Sequence, residues 1–260
     1  MVKLFSHPLP RLAAFTVTVL FSLNVQSEVL VAAASSIREP LDLIAGKFEQ
    51  NHGLQVRISY GSSGNLAHQI LRGAPYQVFL SANTEYPERI WQADRARQKP
   101  LVYARGNLSL YANDRSHCNI DSGVQGLADQ IADGSIHRIA IAKPSLAPYG
   151  LATRQALISA GLWDRLSAHL AIGNNVAQAA QFGFSGAADC AFISSSLAQS
   201  KALSHSGRSV PVPQQLYSPV RHAMILLTGS DDDAGQFFRF LLSETAAKAF
   251  SDAGFQTTED

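Results

Sequence analysis

Cysteine is scarce in this chain of 260 residues: there are two, Cys118 and Cys190, far apart and with no CxxC or clustered histidine beside them. That excludes a thiolate metal site read from spacing. In an oxidising compartment the two could pair, but sequence separation does not show the close approach a disulfide needs. The other reading is an inert Cys190 buried in the apolar run Cys190–Ile193 and a loop Cys118. Charge of one sign is missing as well. A net charge of +1 at pH 7 leaves no basic stripe for nucleic acid and no strong field toward lipid headgroups, so neither is an expected partner. The eight histidines include no HxxxH or HExxH pair, which removes the commonest helical zinc signatures.

No apolar run reaches the ~20 residues that span a bilayer. The stretch Leu12–Leu23 follows Lys3 and Arg11 and leads into Val25-Gln26-Ser27, the order of a secretory signal. Residues 1–27 are therefore expected to be a cleaved leader, with a periplasmic product and no lipid-anchoring cysteine near the cleavage point. A hydrolase elbow, Gly-x-Ser-x-Gly, is lacking too. Gly61-Ser62-Ser63-Gly64 and Gly183-Phe184-Ser185-Gly186 have the wrong spacing, leaving a secreted serine hydrolase as a remote alternative.

What is present is alternation. Short apolar runs (Val29–Ala33, Val56–Tyr60, Val78–Ser81, Ile139–Ala142, His169–Ile172, Cys190–Ser194) alternate with helical patterns almost throughout, the signature of an α/β fold with parallel strands and crossover helices. The pattern restarts after an extended passage through Leu101–Ala112. A stretch rich in Ser, Gly, Pro and Gln, Ser204–Tyr217, precedes a last strand, Val220–Thr228, and two helices. The expected organisation is two lobes: 28–104, then 105–217, with 218–260 returning to the first. Ligands of such sheets bind at the carboxyl ends of strands.

Four strand-to-helix joints carry small polar residues or proline: Ala34-Ser35-Ser36, Gly61-Ser62-Ser63-Gly64, Pro148-Tyr149-Gly150 and Asn174-Asn175-Val176. Each offers free N–H groups and the positive end of a helix dipole, which together favour an oxyanion. One such joint alone reads as a helix cap. Arg38, Glu39 and Lys143 stand near the joints but read as solvated surface.

The wording of these joints, together with Gly73-Ala-Pro-Tyr-Gln-Val-Phe-Leu-Ser-Ala82, Ile139–Gly150, Gly173–Phe182 and the ending Ser243-Glu…Gly254-Phe255, resembles the molybdate-binding periplasmic proteins of ABC importers. The resemblance covers the mature chain. It implies a two-lobed, type II periplasmic-binding-protein fold, with mixed, mostly parallel sheets, helices on both faces and a ligand cleft between the lobes. It further implies that Ser35 and Ser63, with Ser36 and Ser62 beside them, donate to molybdate or tungstate from the first lobe. Tyr149 and Val176 would donate backbone N–H groups from the second. Some members place a Tyr hydroxyl where this chain has Ser194 and Ser195, so Ser194, Ser195 or the Tyr149 side chain is left to complete the site. Gln77 and Cys190-Ala191 also depart from common members. The implied partners are a membrane permease with its cytoplasmic ATPase; no cofactor, no catalytic residue and a monomer are expected.

Donor-only joints suit the chemistry. Molybdate carries no proton at neutral pH and only accepts hydrogen bonds, whereas phosphate keeps a proton that wants a carboxylate, and no joint has one. Sulfate or another tetrahedral oxyanion remains the alternative ligand.

Overall fold

The computed structural model describes residues 28–257, so the expected leader lies outside the described residues. Strands β1 (Glu28–Ala34), β2 (Gln55–Gly61), β3 (Val78–Ser81), β4 (Leu101–Gly106), β10 (Val220–Leu226) and β11 (Gln256–Thr257) form one sheet. Strands β5 (Leu108–Asn113), β6 (Ile139–Ala142), β7 (Leu170–Gly173), β8 (Cys190–Ser194) and β9 (Gly207–Pro211) form the other. Their orders are β11-β4-β10-β3-β1-β2 and β7-β6-β8-β5-β9. In the first, β10 and β11 run against the other four strands; in the second, β5 alone is reversed. Both sheets are mixed with most strands codirectional, because the reversed strands include those that carry the chain from one sheet to the other.

The first sheet is covered on both faces. Val29, Val31 and Ala33 of β1 pack with Leu41, Ile44 and Phe48 of the helix Arg38–His52, and with Phe237 and Phe250 from the two C-terminal helices. Ala32, between them in sequence, points the other way, onto Leu66, Ile70, Phe79 and Ile90. A strand buried on both faces must be apolar throughout rather than alternating, which is why its sequence is a plain run. Each fully buried Leu, Ile or Phe contributes roughly 1.5–3 kcal/mol. The helix Arg38–His52 ends where Gly53 adopts φ 68° and returns its N–H to the Glu49 carbonyl, a left-handed cap that a side chain disfavours.

Register decides where the joints fall. In the parallel β1/β2 pair, Ala34 stands opposite Gly61, so Ser35 and Ser62 leave the first sheet side by side. In β6/β7, Ala142 stands opposite Gly173, which does the same for the second-sheet joints. Two details differ from the sequence reading. A 3-10 turn, Ser35–Ile37, precedes the first helix, and a turn through Lys143–Ala147 separates β6 from the helix Pro148–Ser159. The Ser- and Pro-rich stretch, in which the sequence marks no element, holds β9, which pairs along β5 by backbone bonds.

The chain crosses between the sheets at Asn107 and again over 212–219. At the first crossing there is no room beside Gly106: a Cβ there would lie 2.0 Å from the Tyr149 hydroxyl and 3.1 Å from His222 Nε2.

Candidate functional site

All four joints meet around one small space, walled by Ser35, Ser36, Ser62, Ser63, Tyr149 and Val176, with Ala34, Gly61, Ala82, Ala147 and Pro148 between them. The six residues singled out from the sequence come from both sheets, and none is more than 4% exposed. The lining contains no Lys, Arg, Asp or Glu. Arg38 is turned outward, its guanidinium 4.0 Å from the centre of the Tyr60 ring, and Lys143 is exposed. A wider, open hollow bounded by Glu28, Gln77 and Arg95 lies at the opposite, amino-terminal end of β1, away from the strand ends where open α/β sheets hold ligands.

The serines here are not helix caps. Ser62 occupies the N-cap position of the helix Ser63–Leu71, yet its hydroxyl makes no capping bond. Ser36 Oγ and Ser62 Oγ are buried and have no hydrogen-bond partner among the described residues. A buried hydroxyl without a partner costs about 1–3 kcal/mol, so such a pair at one point calls for an acceptor. Ser63 Oγ accepts from the Ala82 N–H at 3.0 Å, and Ser35 Oγ accepts from the Ala177 N–H at 3.4 Å. Each of those hydroxyls keeps its own proton free to donate.

The second sheet supplies amides. Pro148 starts its helix without an N–H, so Tyr149 carries the first free amide, and no intrahelical acceptor reaches it. Gly150 follows where a Cβ would fall 2.2 Å from the Ala142 carbonyl, which draws this helix start tight against the end of β6. Asn175 caps the helix Val176–Ser185 by accepting from Gln178 N at 3.0 Å, leaving the Val176 N–H at the first helical position. Tyr149 and Val176 thus need no polar side chain to act as donors.

Ser194 and Ser195 are placed elsewhere. Ser194 Oγ accepts from Leu197 N at 3.3 Å as the cap of a short helix, and Ser195 Oγ pairs with Ser109 Oγ at 2.7 Å. The Tyr149 hydroxyl lies 3.2 Å from His222 Nε2, on the side where Ser36 lines the space. His222, on β10, is fully buried; its other nitrogen is 3.4 Å from the Tyr103 hydroxyl. Burial holds it neutral, with its pKa pushed down to about 3, and drives the Tyr149 hydroxyl well above the ordinary phenol value. Sequence reasoning passed over His222, since one histidine in an apolar strand reads as a satisfied core residue.

Contacts between the sheets close over the space. Gly64 N–H donates to the Leu146 carbonyl at 2.9 Å, and Ser196 Oγ donates to the Ser36 carbonyl at 2.9 Å. Among the described residues no group of three or more His, Cys, Asp or Glu could hold a metal ion, and no helix is long and apolar enough to cross a membrane.

The profile of bacterial extracellular solute-binding proteins matches residues 29–256. Molybdate-binding protein ModA of Rhodobacter capsulatus is 31% identical over 233 residues, 88% of this chain and 88% of that protein. Its counterpart in Azotobacter vinelandii is 32% identical over 212 residues, 81% of this chain and 82% of that one. The solved Azotobacter vinelandii periplasmic molybdate-binding protein superposes with a TM-score of 0.78 at 31% identity, covering 87% of this chain and 98% of that one. With its two mixed α/β sheets and a closed space at their strand ends, the chain belongs to the bacterial extracellular solute-binding protein family, alongside the ModA molybdate-binding proteins.

Proposed function

We propose that this protein captures molybdate, and tungstate with it, between two lobes built on the two sheets, and delivers it to the membrane permease and ATPase of an ABC importer. The observation that carries this reading is the donor set: hydroxyls of Ser35, Ser36, Ser62 and Ser63 and amides of Tyr149 and Val176 face one small space with no charged side chain. A fully ionised tetrahedral dianion accepts from every one of them. Bonds to a charged group are worth about 1.5–3 kcal/mol each, and fixed backbone donors need no reorganisation to make them. Residues 1–27 direct the chain to the periplasm, and the protein works as a monomer without a cofactor. It acts as a carrier, like the solute-binding proteins whose family model covers residues 29–256.

Lobe parting at Asn107 and 212–219 admits the ion, and its contacts to both sheets favour closure. Isothermal titration of residues 28–260 with molybdate, tungstate, sulfate and phosphate is the test. Tight equimolar binding of the first two alone supports the reading. Tight sulfate binding would move the protein to sulfate capture, and silence toward all four would remove the oxyanion assignment.

A further inference from the structure

Cys118 and Cys190 meet in the core of the second sheet, although β6, β7 and their helices lie between them in sequence. Cys190 opens β8 opposite Ile139 of β6 and is fully buried; Cys118 follows β5 and is 4% exposed. One hydroxyl joins their backbones. Ser116 Oγ donates to the Asp189 carbonyl at 2.6 Å and accepts from the Cys118 N–H at 3.0 Å. Asp189 is itself fixed, because its carboxylate accepts from the His137 and Arg138 N–H groups at 2.7 and 2.8 Å. The peptide that leads into Cys190 is therefore held in place, with Cys118 docked on it. The neighbouring Cys118, together with burial, raises the Cys190 thiol well above its ordinary pKa. The structure carries both as thiols. A shared metal is not an alternative among the described residues, because no third ligand stands near.

We propose that Cys118 and Cys190 are the two ends of a single intramolecular disulfide, made when the reduced chain meets a disulfide oxidant in the compartment that receives it. The proposal rests on the export reading only for that oxidant. One cysteine thiolate attacks the oxidant's disulfide, forming a mixed disulfide and releasing one oxidant thiol. The second cysteine thiolate then displaces the other oxidant sulfur. A Cys118–Cys190 bond forms, two electrons and two protons pass to the oxidant, and it leaves as the dithiol. Both sulfurs are closed off in the folded protein, so exchange belongs to the folding chain before the core shuts. The link ties the segment after β5 to the start of β8 and restricts the unfolded chain over the loop between them.

The experiment is refolding of residues 28–260 in mixed reduced and oxidised glutathione, followed by acid quench, intact mass and peptide mapping. The expected product is lighter by two hydrogens, with Cys118 and Cys190 joined. Its equilibrium constant against glutathione should exceed that of the same chain in concentrated urea by roughly 100-fold. Reductant should lower the melting temperature of the joined form by roughly 10 °C. Equal constants in the folded and unfolded chain, glutathione adducts on the folded protein, or two thiols persisting at equilibrium would each overturn the proposal. Cys118→Ser and Cys190→Ser should each leave one thiol and melt like the reduced parent, while the parent equilibrium decides the matter if either variant fails to fold. The refolding measurement needs no export, so retention of the full chain in the cytoplasm on cell fractionation is told apart from a failure of pairing.

Discussion

The Tyr149 hydroxyl lies 3.2 Å from His222 Nε2, so one residue offers its amide to the candidate site and its side chain to the opposite sheet. The helix start that carries the donor is thereby fixed against β10. Tyr149→Phe keeps the amide and strands His222 Nε2 in the interior, a change that costs about 1–3 kcal/mol. Calorimetry is expected to show a lower melting temperature with molybdate binding retained. Complete loss of binding would mean that the hydroxyl, rather than the amide, meets the ion.

The same histidine sets a pH dependence. Its folded pKa of about 3 lies below the ordinary value of 6.5, so the folded state favours the neutral ring. That contribution is fully present above pH 6.5 and declines as pH falls toward 3, at up to about 1.4 kcal/mol per pH unit. Tyr103, Tyr149 and Phe255 pack around the ring, and none offers a carboxylate to hold a charged form. Urea midpoints measured from pH 7 to pH 4 should fall less steeply for His222→Asn than for the parent. Parallel curves would place the titration elsewhere.

Ser36 and Ser62 have buried hydroxyls without partners, and each should lose a charge-assisted bond when replaced. Ser36→Ala and Ser62→Ala are expected to weaken molybdate binding by about 10- to 100-fold, the equivalent of about 1.5–3 kcal/mol. Ser194→Ala is the control, since its hydroxyl caps a helix outside the space. Titration showing parent affinity in both Ser36→Ala and Ser62→Ala would remove the first-sheet hydroxyls from the donor set.

Closure has its own probe in Gly64. A Cβ there would come within 2.8 Å of the Leu146 carbonyl, across the line where the sheets meet, while the Tyr86 hydroxyl, 2.7 Å away on the same side, ends a flexible side chain that can swing aside. Within its helix, alanine is the better residue by up to about 1 kcal/mol. Gly64→Ala should therefore leave the ligand-free protein at least as stable while weakening the ion by tenfold or more. X-ray scattering should show less compaction on adding molybdate. Unchanged affinity and compaction would show that this contact is not part of the ion-bound form.

The parts of this fold legible in sequence are those buried on both faces. Val78–Ser81, Ile139–Ala142 and Cys190–Ser194 are plain apolar runs because helices or partner strands cover them, and their observed bounds match the reading. Gly207–Pro211 is a strand by backbone pairing at the edge of β5, with exposed Arg208 and Ser209, so nothing in its side chains announces it. At the site, serines at strand ends pointed to the right joints, but type alone cannot separate a capping serine from one that faces a ligand. Ser62 and Ser194 occupy equivalent N-cap positions, and only the second bonds its helix. The Tyr149–His222 pairing was not legible, since it depends on how two sheets settle against each other and not on local pattern.

Strand β10 sits between β3 and β4, which have no other route to each other in the first sheet. Synthesis delivers the whole second sheet, β5 through β9, before β10 emerges. Until Val220 and its successors arrive, β3 and β4 each hold an open edge with unpaired backbone groups, the surface on which chains pair wrongly with one another. The first sheet is thus the last to be completed, and a chain ending before Val220 would present two unpaired strand edges.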